Sequence, residues 1–285
     1  MTLGRTLLMM LTASFSLLAQ NGKLPTCDDT EFHQFDFWVG DWEVRSGGET
    51  IGYSRVEPLL NGCLLMENWY GLDGDIGKSM NFFNKRTGKW RSVSVSATRT
   101  SDAELSFTSR NDGVIERIEN GLRITYLQSA IPSGVDRDTN ARCLSSQARQ
   151  FDFWAGEWDV FGPRGRSAGT NAVLPIAGGC VLFENWSGAG GVDGKSFNFV
   201  DSATGEWRQV WVSAGGNLDL RGKWENGHLR LIGENTGANG AKHLQRITWT
   251  PRIDGAVRQH WEQSGDGGAT WVTAFDGLYL RRIGV

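Results

Sequence analysis

Short segments in which apolar and polar residues alternate recur along the chain at roughly 8–12-residue spacing, separated by Gly, Asn and Asp. The second half shows this most clearly, in Gly179–Trp186, Lys195–Val200, Trp207–Ser213, Leu218–Trp224, His228–Gly233, His243–Thr250, Val257–Ser264 and Trp271–Leu280. Period-two alternation predicts strands with one face buried. The breaks carry turn chemistry in Glu225-Asn226-Gly227, Ile253-Asp254-Gly255 and Asp266-Gly267-Gly268. Consecutive strands joined by tight turns form a meander. A meander this long most simply closes into an up-and-down barrel, because closure removes exposed edges. The expected fold class is therefore all-β. Polar-apolar segments at Asp28–Gln34 and Ser145–Gln150 precede the strands. Asp28 and Glu31 resemble a capping box, which suggests a helical turn plugging each barrel floor.

The pattern occurs twice. Phe35-Asp36-Phe37-Trp38-Val39-Gly40-Asp41-Trp42 returns as Phe151-Asp152-Phe153-Trp154-Ala155-Gly156-Glu157-Trp158, 116 residues later. Gly62–Trp69 then matches Gly179–Trp186, Lys78–Phe82 matches Lys195–Phe199, and Thr87–Arg91 matches Thr204–Arg208. A repeat of this length is a copied domain, not a solenoid unit. The copies diverge afterwards. Copy one has only Leu105–Ser109, Val114–Ile118 and Leu122–Gln128 before a Pro- and Gly-bearing stretch, Ser129–Arg142, that reads as a linker. Copy one is thus expected to be truncated by roughly two strands. The expected organisation is a leader over 1–19, a short barrel over 27–128, a linker over 129–142 and a complete barrel over 143–285.

The leader has one charge, Arg5, followed by the apolar run Leu7–Leu18. This order and length predict a secretory signal peptide ending near Ala19. No later segment is expected to span a membrane as a helix after signal cleavage. The four cysteines follow the repeat, Cys27 matching Cys143 and Cys63 matching Cys180. In an exported chain, periplasmic or extracellular, two per copy argue for Cys27–Cys63 and Cys143–Cys180 disulfides. There is no CxxC and the histidines do not repeat, so no metal is expected. Net charge is −3 with both signs mixed along the chain, which disfavours a nucleic-acid partner.

Gly40-Asp41-Trp42 and Gly156-Glu157-Trp158 resemble the Gly-x-Trp signature on the first strand of lipocalin-like (calycin) barrels. The chain is most similar to a bacterial lipocalin-like family of uncharacterised function. That family opens with FDFWxGxW, continues with a GC…ExW strand, and ends in motifs matching Arg246-Ile247-Thr248-Trp249-Thr250-Pro251, Arg258–Trp271 and Phe275–Arg282. The resemblance implies two tandem up-and-down barrels, the first truncated. It also implies that Trp42 and Trp158 close the barrel bases, with Arg281 or Arg282 lying over Trp158. A late histidine ligates heme in some ten-stranded barrels of this superfamily, and His260 lies on a late strand. The rest of that pattern is missing, so no cofactor is expected.

Several residues could carry chemistry. Alternation puts Glu184 and Asn185 on opposite faces of their strand, so one of them points into the barrel. An inward Glu184 needs a partner. Arg246 shares a face with Thr248, and Arg258, His260 and Glu262 share the next. Inward, this set would make a charged cavity; outward, it would leave an aromatic one. Trp211, Trp224 and Trp261 have no counterpart in copy one and are the tryptophans most open to ligand contact. Ser264–Trp271 matches an Asp-box, read here as a hairpin turn. The leading expectation is a non-catalytic protein that binds a small, partly apolar ligand in the second barrel. Alternatives are a barrel-cavity enzyme using Glu184 as acid/base, and a module that pairs through copy one's edge with copy two or in a homodimer.

Overall fold

A computed structural model describes residues 24–109, 114–119, 122–135, 143, 145–237 and 240–282. The leader and the second half of the expected linker, 136–142, lie outside these. Copy one comprises β1 (Gly40–Ser46), β2 (Glu49–Leu59), β3 (Leu64–Gly71), β4 (Ile76–Asn84), β5 (Lys89–Ser96), β6 (Thr100–Glu104), β7 (Thr108–Ser109), β8 (Ile115–Glu119) and β9 (Leu122–Gln128). Copy two comprises β10 (Gly156–Phe161), β11 (Ser167–Ile176), β12 (Val181–Gly188), β13 (Asp193–Val200) and β14 (Trp207–Ser213). It continues through β15 (Gly216–Glu225), β16 (His228–Thr236), β17 (Lys242–Pro251), β18 (Val257–Ser264) and β19 (Val272–Arg281).

The all-β expectation holds, and the copies differ in closure. Copy two is a closed ten-stranded antiparallel barrel in which β10 pairs with β19. Copy one is a curled nine-stranded sheet in the order β6-β5-β4-β3-β2-β1-β9-β8-β7. It is therefore not two strands short. Its β9 returns to β1 as β19 returns to β10, and the sheet stays open between β6 and the two-residue β7. The β15–β16 hairpin turns through Asn226 and Gly227, both at positive φ, the type favoured by the right-handed twist of paired strands.

The bases are built alike. Each FDFW phrase forms a 3₁₀ turn, Asp36–Trp38 or Asp152–Trp154, whose last tryptophan is fully buried. The Trp42 indole donates to the Trp38 carbonyl at 2.7 Å, and Trp158 donates to Trp154 at 2.9 Å. Tyr126 and Tyr279 meet these rings edge-on. Arg281 lies over Trp158 at 4.5 Å and donates to the carbonyls of Ala155 and Phe153, while Arg282 faces outward to Asp159. In copy one the residue across from Trp42 is Gln128, where copy two pairs Trp158 with Arg281. The earlier turn Thr30–His33 has no side-chain cap, so the Asp28 capping box does not form, while at Gln147–Arg149 the Ser145 hydroxyl accepts from the Ala148 amide at 3.2 Å. Both disulfides, Cys27–Cys63 and Cys143–Cys180, are present.

The copies meet face to face. Outward-facing Val181, Phe197, Phe199, Val210 and Val212 of copy two form one buried cluster with Leu64, Met66, Met80, Phe82, Val93 and Val95 of copy one. Most of these residues correspond pairwise in the repeat, so the contact is an approximate twofold within one chain. Four charges form a cluster on it, and Asp201 lies 3.8 Å from Arg208 beside them. Arg208 donates to Asp219 at 2.8 and 2.6 Å, and also to Asp102; Arg91 donates to Asp102 at 2.8 Å, and also to Asp219. Burial alone would raise the Asp102 carboxyl, but Arg91 and Arg208 hold it down at about 2. No strand of one copy pairs with a strand of the other among the described residues. The contact between copies therefore does not use the open edge as a pairing strand.

Candidate functional site

The direction of each strand separates the second barrel into two ends. The 3₁₀ turn and the cluster of Phe151, Trp154, Trp158, Trp207 and Trp249 fill the base. Moving up the barrel, the inward positions become polar. Glu184 is 3% exposed and accepts from Asn171 at 2.9 Å and from Ser196 at 2.6 Å. Asn198 donates to Ser196 and to the Leu182 carbonyl. Gln209 donates to Ser196, and Tyr279 donates to Gln259. The Asn171 Oδ1 and Asn198 Oδ1 atoms are buried and accept no hydrogen bond among the described residues. A buried amide oxygen without a donor is costly, which makes this cluster a reservoir of unused acceptor capacity.

Burial pushes the Glu184 carboxyl up to about 7, against the hydrogen bonds from Ser196 and Asn171 and the charge of Lys195. Burial, and then the Glu184 charge, also raise the Tyr279 phenol. The folded protein thus holds the Glu184 proton more tightly than an unfolded chain does. That contribution is complete below the ordinary value of 4.5 and is lost as pH rises to about 7. Wild-type stability is expected to fall by on the order of 2–3 kcal/mol across this window from Glu184 alone. Glu184→Gln flattens that slope. Urea denaturation of both proteins from pH 5 to pH 8 measures it, and parallel curves would refute the assignment.

Above the cluster stand Trp186, Trp211, Trp261 and Phe275, all inward and all only half-buried. Three of these rings, Trp186, Trp211 and Phe275, lie against backbone where glycine replaces a side chain. A Cβ on Gly194 would meet the Trp211 ring at 1.9 Å, one on Gly169 would meet Trp186 at 2.9 Å, and one on Gly277 would meet Phe275 at 2.5 Å. Trp261 donates to Gln245 at 2.7 Å, and Gln245 to Asn235 at 2.8 Å.

The structure corrects several expected site residues. Arg246, Arg258, His260 and Glu262 do not line the lumen. Their partners on the opposite face, Gln245, Ile247, Val257 and Gln259, are the buried ones. Arg246 instead pairs with Glu262 at 2.9 Å and stacks on Trp271, while Arg258 pairs with Asp276 at 2.7 Å. His260 bonds Thr273 at 3.0 Å. These bidentate pairs remain partly hydrated, so the charges need no burial. Trp224 faces inward but sits at the base, packed against Phe153, and belongs to the plug. Glu184, Trp211 and Trp261 remain, joined by Asn171, Ser196, Gln245, Gln259, Trp186, Phe275 and Tyr279, which sequence reasoning did not single out. Asn171 was legible in principle as the only polar side chain in the alternating inward series Gly169, Asn171, Val173. The Asp-box forms its turn: Asp266 accepts from the Thr270 amide and hydroxyl, and Trp271 donates to Gly268.

No known family model matches the chain, and no curated protein does. Similar solved structures include a protein of unknown function from the DUF3598 family of Nostoc punctiforme PCC 73102. It is 10% identical, with 88% of this chain and 98% of that one covered, at a TM-score of 0.17. Another is a putative outer membrane protein from Bacteroides fragilis NCTC 9343, 10% identical, with 87% and 98% covered and a TM-score of 0.18. Scores of this size carry no argument about fold or function. Among the described residues, no helix is long and apolar enough to cross a membrane, and no group of three or more His, Cys, Asp or Glu side chains could hold a metal ion.

Proposed function

We propose that this is an exported, lipocalin-like tandem protein whose second barrel binds a small, partly apolar molecule in its lumen. The observation that carries this reading is the half-burial of Trp186, Trp211, Trp261 and Phe275 on the inner wall of a closed barrel. Four large rings left partly uncovered on the inner wall, above a filled base, are the apolar surface that a ligand entering the mouth would cover. Export is supported by the two disulfides, which persist in oxidising compartments, and by the leader pattern of residues 1–19.

A second reading is favoured by the Glu184 carboxyl at about 7, the range in which a general acid or base works best. One experiment separates the two. Native mass spectrometry of the exported protein before and after organic extraction is expected to show a small bound mass that extraction removes. Re-adding the extracted molecule distinguishes binding, in which its mass is unchanged on recovery, from turnover, in which a product mass appears. A protein that never carries or retains a small molecule would sink both.

A further inference from the structure

Within the repeat, the positions that line the upper lumen differ between the copies. Asn171, Gln209 and Trp211 stand where copy one has Ser54, Ser92 and Ser94. Copy one keeps the common part of the cluster, with Ser54 and Ser79 donating to Glu67 and Asn81 donating to Ser79. The carboxyl on the third strand is therefore framework, and the additions of copy two are a ring, a longer amide and an amide oxygen without a donor.

The chemistry of these additions has one sign. The lumen offers carboxylate oxygens, amide oxygens and the negative faces of indole rings. Among the described residues, no lysine or arginine faces inward between Tyr279 and the rim; Arg281 is held beneath the base, and His243 stands at the mouth on the inward side of β17. An anionic ligand finds no counter-charge inside. A neutral apolar ligand leaves the Asn171 oxygen without a donor. A protonated nitrogen satisfies the amide oxygen, pairs with Glu184 and sits against aromatic faces.

We propose that the lumen of the second barrel takes an organic cation, a protonated amine carried on an apolar body. The proposal rests on the lumen-binding reading and names its ligand class. The amine nitrogen donates to Asn171 Oδ1 and the Glu184 carboxylate, while the apolar body lies among Trp186, Trp211, Trp261 and Phe275. No bond is made or broken. Binding requires ionised Glu184. The groups facing that carboxyl are Asn171 on β11, Ser196 on β13 and the Tyr279 phenol on β19, with Lys195 acting on it by charge. Neither Asn171 nor Ser196 titrates, and the Tyr279 phenol stays protonated. Affinity for the amine accordingly weakens as pH falls below about 7.

The test uses three probes with one body: 2-phenylethylamine, 2-phenylethanol and phenylacetate, titrated calorimetrically into the full-length protein. The expected result is preference for the amine over both others by about tenfold or more at pH 8. Glu184→Gln should remove the preference without removing weak alcohol binding. Trp211→Ser, which installs the copy-one residue at a half-buried position, should weaken the amine and leave the fold intact. Binding in which the alcohol or the acid equals or exceeds the amine overturns the cation assignment and leaves the lumen-binding reading standing. No saturable binding of any probe overturns both.

Discussion

Arg208→Ala is expected to lower the unfolding free energy by about 3–5 kcal/mol. The Arg208 side chain is 3% exposed and joins Asp219 and Asp102 across the contact between the copies. Its removal leaves Asp219, Asp102 and the neighbouring Asp201 with one fewer cation, and uncompensated charge in a low-dielectric site is among the largest single-residue costs. Arg91→Ala should cost clearly less. Its side chain is 21% exposed, so water reaches the carboxylates it leaves behind. Replacing all four charged residues with apolar ones of similar volume should be much milder than Arg208→Ala alone, because desolvation of the ion cluster is then avoided. Equilibrium denaturation followed by tryptophan fluorescence measures all three. Equal losses for Arg208→Ala and Arg91→Ala would show that burial is not what sets the cost.

Replacing Cys143 and Cys180 together by alanine is expected to cost about 4 kcal/mol in the chain-entropy account, and replacing Cys27 with Cys63 about the same. The loops span 37 and 36 residues, so their closure entropies are nearly equal. Their surroundings differ. Cys143 and Cys180 pack with the cluster between the copies, and the Cys27–Cys63 pair packs with Phe32 beside Ala214 of the other copy. Thiol titration of the unfolded native protein should find no free cysteine. Losses that differ by more than about 1 kcal/mol would mean that the loop-entropy account misses a difference in native-state packing.

Much of this fold is legible in the sequence. The duplicated FDFW phrase marks two separate sheets, and the cysteines paired by the repeat form both disulfides. Arg281 was one of two candidates to cover Trp158, and strand pairing places it there. The closing strands resisted reading for a physical reason. Both faces of β18 are amphipathic, one with Arg258, His260 and Glu262, the other with Val257, Gln259 and Trp261. The inner face contains buried glutamines, so polarity alone did not mark the outside. The contact between the copies escaped notice although β12–β14 carried its signal. Their outward faces, with Val181, Phe183, Phe197, Phe199, Val210 and Val212, are apolar where a solvated outer face would be polar, while the inner faces of the same strands carry Glu184, Ser196, Asn198 and Gln209. Copy one's expected strand count falls short at β6, Thr100–Glu104, whose mostly exposed residues carry no apolar alternation.

The near-twofold face between the copies has an evolutionary consequence. Had two identical chains met this way, any change on the inner wall would appear in both barrels at once. Joined in one polypeptide, Trp211 and Ser94 can diverge while Arg91, Asp102, Arg208 and Asp219 stay matched. Covalent linkage thus releases the two interiors from a shared constraint and leaves only the touching faces bound by it. One interior is free to lose closure, as between β6 and β7, while its neighbour keeps an intact wall.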